Sequence, residues 1–391
     1  MRAWLRRMAA LQRTRGVKNP LSWYSPRFWH GMRLGTWLKQ LVRNRFALSP
    51  RKIPMAFAVT AASTANSGLA AIDRLVYARR VAQVELAQSP LFILGHWRSG
   101  TTFLHELLIR DANHTYPSTY QCFAPHHFVL SQSWLAPLTE MLLPHRRPMD
   151  NMEMGWQRPQ EDEFALCNMG VPTPYLSTMF PNHGAVCTEY ADLQDLSPAD
   201  LGRWRHELLT FFQRIAYRDN RRIVVKSPLH TARVRTLLEM FPKAKFVHLV
   251  RDPYDVFAST VRLWKSLNEV QGFQVPGDQS WLDEYVLDTL VRMYEAFEQD
   301  RRLLSDEQLF ELRYEDLVAN PQLQLEQLYG QLKLGDFSQV EAATQRYLAE
   351  VKNYRTNRHQ LEEATQQQIR QRWSIYFQKY GYLASPETAE V

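Results

Sequence analysis

Residues 91–103, LFILGHWRSGTTF, join a short apolar run to a turn with the spacing Gly95-x4-Gly100-Thr101-Thr102. The run reads as a buried strand, and the turn has the glycine spacing of a Walker A loop without its lysine. In such a strand–loop–helix unit the glycines let backbone N–H groups turn toward a phosphate. The helix N-terminus adds its positive end, and a lysine reaches the outer phosphates. Here Thr101 holds the lysine's place, and a cation, Arg98, stands three residues earlier. The loop keeps the parts for a diphosphate-like anion and lacks those for ATP with magnesium. A different nucleotide is expected, and no metal.

Outward from this loop the chain reads as α/β. RIVVK at 222–226, KFVHLV at 245–250 and LFELR at 309–313 are further strand signals, separated by amphipathic stretches at 229–241, 252–266 and 281–304. That alternation predicts a mostly parallel sheet flanked by helices. Other helices are expected over 30–45, 67–86, 100–111, 161–169 and 198–217. One more is expected at the end, where Ile369, Trp373, Tyr376, Phe377 and Tyr380 share a face. Pro, His and aromatic residues dominate from about 114 to 190, which reads as an insertion. The expected organisation is a basic helical N-terminal extension over 1–88 and a P-loop-like domain over 89–391.

With 391 residues, 45% apolar and 12% aromatic, the chain has ample material for a core. Cys122, Cys167 and Cys187 are odd in number, far apart and without a C-x-x-C pair, so neither a disulfide framework nor a zinc site is indicated. A reducing, cytoplasmic compartment is expected. No apolar run approaches the roughly 20 residues of a membrane span, and nothing resembles a signal peptide. The net charge of +7 is unevenly placed: residues 1–72 hold 13 Lys or Arg and no Asp or Glu, so the remainder is net acidic. Trp4, Trp23, Trp29 and Trp37 interleave with these cations. Basic helices packed on the core would explain this, and so would peripheral contact with an anionic membrane. No DNA- or RNA-binding motif is present, so a nucleic-acid partner is not expected.

Three more motifs end strands in charged or hydroxyl-bearing groups. In RDPYDVFAST, Arg251 closes a strand and Ser259 lies on the following helix, where both can converge on one phosphate at the sheet's carboxyl edge. Alternatively Arg251 pairs with Asp252 or Asp255 and Ser259 is a packing residue. KSPLH at 226–230 and LRYEDL at 312–317 complete the set. With RSGTT, KSP, RDPxxVxxS and YEDL in this order over about residues 90–330, the chain resembles the sulfotransferase family, which takes sulfuryl from 3′-phosphoadenosine 5′-phosphosulfate. It is closer to the branch with RSGTT and KSP than to the cytosolic branch with KSGTT and KTH.

The resemblance implies that Arg98, Ser99, Gly100, Thr101 and Thr102 hold the 5′-phosphosulfate and that Arg251 and Ser259 grip the 3′-phosphate. Phe103 and Tyr314 match adenine-side aromatics. A basic segment near the C-terminus closes over the 3′-phosphate in related enzymes; YRTNRH at 354–359, with Arg355 and Arg358, is the candidate here, although the family's RKG form is absent.

Sulfuryl transfer should resemble phosphoryl transfer through a loose in-line transition state, with charge accumulating on the departing bridging oxygen. Lys226 and Arg98 are placed to meet it. The acceptor hydroxyl needs a base, and Pro228 stands where the cytosolic branch has its histidine. His230 is one candidate. The acids of RPQEDEFAL, Glu161 and Glu163, are the other, unless they only complement a helix dipole. His96, His126 and His127 are lesser candidates. Within the insertion, Tyr116, Tyr120, Phe123, Phe128, Trp134, Met149, Met152, Met154 and Trp156 could line a pocket for a hydrophobic alcohol, phenol or lipid-like acceptor, or could be core. A P-loop kinase should show G-K-[ST] and an acidic metal-holding strand end, which Thr101, Lys226 and Arg251 oppose. A non-catalytic, membrane-associated nucleotide-binding protein would keep the nucleotide contacts and lack a base.

Overall fold

A computed structural model describes residues 21, 25–144, 154–351 and 361–383. Its centre is a sheet of five strands, β1 Leu91–Leu94, β2 His114–Thr115, β3 Arg222–Lys226, β4 Lys245–Val250 and β5 Leu309–Arg313, in the order β2-β3-β1-β4-β5. The paired strands run parallel, with Ile93 opposite Lys226 on one side and Val247 on the other. β1 is therefore central, and all four of its residues are buried. Such a continuous apolar run is the sequence signature of a strand covered on both faces. Four strands lie where the sequence predicts them. β2 is too short and polar to signal itself, and it falls at the start of the stretch read as insertion.

Alternate strand residues feed two cores, as the two-residue period of a strand requires. Leu91 and Ile93 join Val247, Leu249 and Phe310 beneath α3 (Thr101–Leu108). Phe92 and Leu94 join the larger core on the opposite face. That larger core also takes in the N-terminal region, where α1 (Leu34–Arg43) and α2 (Ile53–Ala82) contribute Trp37, Leu41, Met55 and Val59. From Phe28 on, the described part of the basic extension is thus built into the main core.

The helix α2 corrects two expectations. It begins at Ile53, whereas the sequence predicts helix only from about 67; residues 53–66 carry no charge and no clear apolar period. Residues Pro50–Ala82 are also long and apolar enough, by length and composition, to cross a membrane. The packing here is that of a helix docked along one side. The Trp37 indole donates to Thr60 at 2.9 Å, and buried Asp73 pairs with Arg214 at 2.8 Å.

The insertion holds α4 (Thr119–Phe123), α5 (Phe128–Thr139) and α6 (Asp162–Asn168). Tyr120, Phe123, Phe128 and Trp156 are buried in the larger core, so these expected pocket aromatics are packing residues. Trp134 is exposed on α5, while Met149 and Met152 lie outside the described residues. Further on, α7 (Pro198–Arg218), α8 (Val234–Met240), α9 (Pro253–Gln271) and α10 (Trp281–Asp300) cover the sheet. After β5 come α11 (Tyr314–Ala319), α12 (Pro321–Leu332) and α13 (Ser338–Val351). The final amphipathic stretch is two helices, α14 (Glu363–Arg372) and α15 (Ser374–Lys379), broken at Trp373, whose indole donates to the Leu287 carbonyl at 3.0 Å.

Candidate active site

The loop after β1 is built for close approach. Gly95 and Gly100 have φ of 140° and 99°, and a Cβ at Gly95 would lie 2.5 Å from the Leu249 carbonyl oxygen. Only glycine occupies such a backbone without strain. Arg98 also has a positive φ, 68°, which is costly for a side chain of its size and recurs at functional turns. The Gly95 N–H donates to Thr231 Oγ1 at 2.7 Å, tying the loop to the segment after β3. α3 then starts at Thr101 with no side-chain cap, so its first-turn amides are a ready anion site. Ser99, expected at the donor group, is turned inward. Both its N–H and its hydroxyl donate to the His96 carbonyl, at 3.2 and 2.8 Å, and the residue is fully buried. These bonds shape the loop.

Arg98, Arg251, Ser259 and Tyr314 meet beside this loop. Arg98 Nε donates to Ser259 Oγ at 2.9 Å, and Arg251 Nη1 donates to the Arg98 carbonyl at 3.3 Å. The Arg251 guanidinium lies over the Tyr314 ring, 4.5 Å from its centroid, and also pairs with Asp255 at 2.7 Å. Tyr314 in turn packs against Gly100 so tightly that a Cβ there would sit 2.2 Å from the ring. Two arginines, a hydroxyl and a helix N-terminus at one carboxyl edge fit a ligand bearing two separate phosphate-like groups. Phe103 is half-buried and packs against the smaller core near Tyr347, 6.5 Å between ring centroids. Arg355 and Arg358 lie outside the described residues.

Across β1, the end of β3 meets the start of α6. Lys226 Nζ donates to Glu161 Oε1 at 2.5 Å, and the Tyr175 hydroxyl donates to Glu161 Oε2 at 2.6 Å. The Trp97 indole donates to the Tyr175 oxygen at 2.7 Å, so a hydrogen-bonded chain runs from the phosphate loop to Glu161. Burial, reinforced by the Glu161 charge, pushes the Tyr175 hydroxyl well above the usual tyrosine range, which keeps it a donor. The next two acids are used differently. His230 Nε2 donates to Asp162 Oδ2 at 2.8 Å with neither side chain exposed, and Arg233 binds Glu163 through both nitrogens at 2.7 and 3.2 Å, equally sealed. The expected base candidates His230 and Glu163 are thus each paired with a buried partner and have almost no exposed side-chain surface. Glu161 and Lys226 keep 12% and 6% of their side-chain surface. Burial holds the His96, His126 and His127 imidazoles neutral, at about 3, about 3 and about 4.

Tyr175 escapes the sequence reading. It follows Pro174 in a short turn, and nothing local marks it; its partner Trp97, inside the loop, is the available signal.

The sulfotransferase family matches residues 90–339. The chain belongs to this family. It is 40% identical over 385 residues, 98% of either chain, to the omega-hydroxy-beta-dihydromenaquinone-9 sulfotransferase Stf3 of Mycobacterium bovis, and equally to that of Mycobacterium tuberculosis. Among solved structures it shares its fold with sulfotransferase STF9 from Mycobacterium avium, with TM-score 0.67, 17% identity, and 85% and 86% of the two chains covered. STF1 from Mycobacterium tuberculosis aligns with TM-score 0.61, 19% identity, and 87% and 90% covered. This sulfotransferase thus has the expected α/β architecture with a P-loop-like nucleotide edge.

Proposed function

We propose that this sulfotransferase moves sulfuryl from 3′-phosphoadenosine 5′-phosphosulfate to the hydroxyl of a hydrophobic, lipid-like acceptor, with Glu161 as general base. The observation that carries this reading is the chain Trp97–Tyr175–Glu161–Lys226, which sets a carboxylate and an ammonium side by side next to the loop.

When bound, the donor supplies the sulfuryl group and a leaving oxygen that gathers negative charge. The first-turn amides of α3 at Thr101 and Thr102 hold its 5′ side, and Arg98 and Lys226 answer the developing charge. Donors held in place this way contribute on the order of 3 kcal/mol each. Arg251 and Ser259 take the 3′-phosphate, with Tyr314 as the surface on which Arg251 rests. Glu161 accepts the proton of the acceptor hydroxyl through an oxygen already oriented by Tyr175. The pairs Asp162–His230 and Glu163–Arg233 tie the start of α6 to the segment after β3, which sets the position of Glu161. The acceptor class is supported by the 40% identical relatives, named for an omega-hydroxylated dihydromenaquinone. An acceptor of that kind resides in a bilayer, which favours an enzyme working at the cytoplasmic face of a membrane.

Thermal stabilisation by adenosine 3′,5′-bisphosphate, compared with ATP plus magnesium, tests the donor site. The bisphosphate should stabilise more, because linkage favours the ligand that the folded site binds. Product formation from an omega-hydroxylated polyprenyl quinone, followed by mass spectrometry, tests the acceptor. Glu161→Gln should lower kcat by about 10²- to 10⁴-fold with bisphosphate affinity unchanged. Unaltered turnover in that variant would remove Glu161 from the role of base.

A further inference from the structure

The two N-terminal helices bury one side in the core and leave the other to solvent, and the solvent side is apolar. On α2, Ile53, Phe57, Ile72, Leu75 and Val76 are exposed, Phe57 by 71% and Leu75 by 85%. Between them the same face carries small uncharged residues, Ala61, Ala65 and Gly68, so no charge interrupts it from Ile53 to Ile72. α1 lies antiparallel against α2, with the Leu34 N–H donating to Ser67 and the Trp37 indole to Thr60, and it adds exposed Leu38 and Val42. α5 begins beside Asp73, which accepts from the Leu130 N–H, and presents Trp134 and Leu138 at helical spacing. Soluble surfaces rarely expose an apolar patch this continuous without a partner.

Cations frame the patch. Exposed Lys39, Arg43 and Arg45 stand at one end with Arg51, and exposed Arg74, Arg79 and Arg80 stand at the other. Within α1 and α2 the single acid is Asp73, and it is buried against Arg214. Two copies meeting through this face would set cation against cation. An anionic lipid surface satisfies both features at once, taking the apolar stripe into its acyl boundary and the arginines among its phosphates. The docked side of α2 argues against a spanning helix, since leaving the core would unpair buried Asp73 and Arg214.

We propose that α1, α2 and α5 form an interfacial membrane-docking surface, selective for anionic lipid, on which the enzyme rests without spanning the bilayer. The surface also connects to the site. Just before α1, Phe28 stacks on Phe164 at 3.9 Å between centroids, and Phe164 lies 4.7 Å from Tyr175, the donor to Glu161. The docking proposal deepens the reading of a lipid-like acceptor, and its test is read without turnover.

The full chain is sedimented with vesicles of phosphatidylcholine alone or mixed with phosphatidylglycerol. Binding should require phosphatidylglycerol and weaken with added salt. Phe57→Glu with Leu75→Glu should reduce binding on the order of tenfold or more per side chain. Arg79→Gln with Arg80→Gln, which spares the apolar face, should cost about fivefold per cation. Both variants should bind adenosine 3′,5′-bisphosphate like the parent, which controls for folding. Equal binding to neutral vesicles, or none to either, overturns the proposal. So does retention in the membrane after alkaline carbonate extraction, which would mean a span. A wild-type dimer that the Phe57 and Leu75 substitutions dissolve would assign the face to a second copy instead.

Discussion

Gly100→Ala should damage the donor site from a single methyl group. The Gly100 backbone has φ 99° and ψ 6°, a conformation that costs an L-residue roughly 1–2 kcal/mol. The added Cβ would stand 2.2 and 2.6 Å from two carbons of the Tyr314 ring. Ordinary carbon contacts are about 3.5–4.0 Å, so the ring must retreat by more than an ångström. That ring supports the Arg251 guanidinium at 4.5 Å, a contact of about 0.5–2 kcal/mol. A displaced Arg251 would also lose the charged hydrogen bond proposed for it to the 3′-phosphate, about 1.5–3 kcal/mol. Backbone strain should lower folding stability by about 1–2 kcal/mol, and bisphosphate affinity should fall about 10- to 100-fold. Isothermal titration with adenosine 3′,5′-bisphosphate reads the affinity, and adenosine 5′-diphosphate, lacking the 3′-phosphate, serves as control and should lose less. In the double variant with Tyr314→Leu the clash is relieved, so the two effects should be sub-additive by on the order of 1 kcal/mol. Unchanged affinity, or full additivity, would refute the claim that Gly100 is kept small for Tyr314.

Three further outcomes are expected. Tyr175→Phe removes one of the donors that orient Glu161, and kcat should fall about tenfold while bisphosphate binding stays unchanged, at the net value of one buried hydrogen bond to a charged group. Arg214→Met strands Asp73 in the core and should cost about 3–5 kcal/mol by chemical denaturation; adding Asp73→Leu should recover much of it. The His96 and His127 imidazoles sit at about 3 and about 4 through burial, below their ordinary value, so the unfolded chain takes up protons first. Their contribution is intact above about pH 6.5 and is lost as pH falls toward 4, at about 1.4 kcal/mol per pH unit for each histidine. Denaturation midpoints at pH 7 and pH 5 check this, and His127→Gln should flatten the slope.

What the sequence determined by itself was carried by neighbours along the chain. The glycine spacing of 95–102, the apolar runs of β1, β3, β4 and β5, and the charged residues ending them are local signals. They were enough for an α/β sheet and for a P-loop-like edge without the Walker lysine, and the motifs they form include Arg98, Arg251, Ser259 and Tyr314, which the fold brings together. Local signals were silent where an element is short or unpatterned, as with the two residues of β2 and the first half of α2.

Only the tertiary structure decided which acid of Glu161-Asp162-Glu163 stays accessible. Consecutive residues at the start of a helix point in different directions, and each meets a partner that the chain brings from far away. Glu161 meets Lys226 65 residues on, Asp162 meets His230 68 on, and Glu163 meets Arg233 70 on. Trp97 reaches Tyr175 across 78 residues. His230 and Glu161 have equally suitable chemistry in the sequence; the fold leaves the His230 side chain no exposed surface and the Glu161 side chain 12%. The placement of apolar side chains on the outer face of α2 was settled in the same way, since its inner face is defined by the helices that pack there and not by its own pattern.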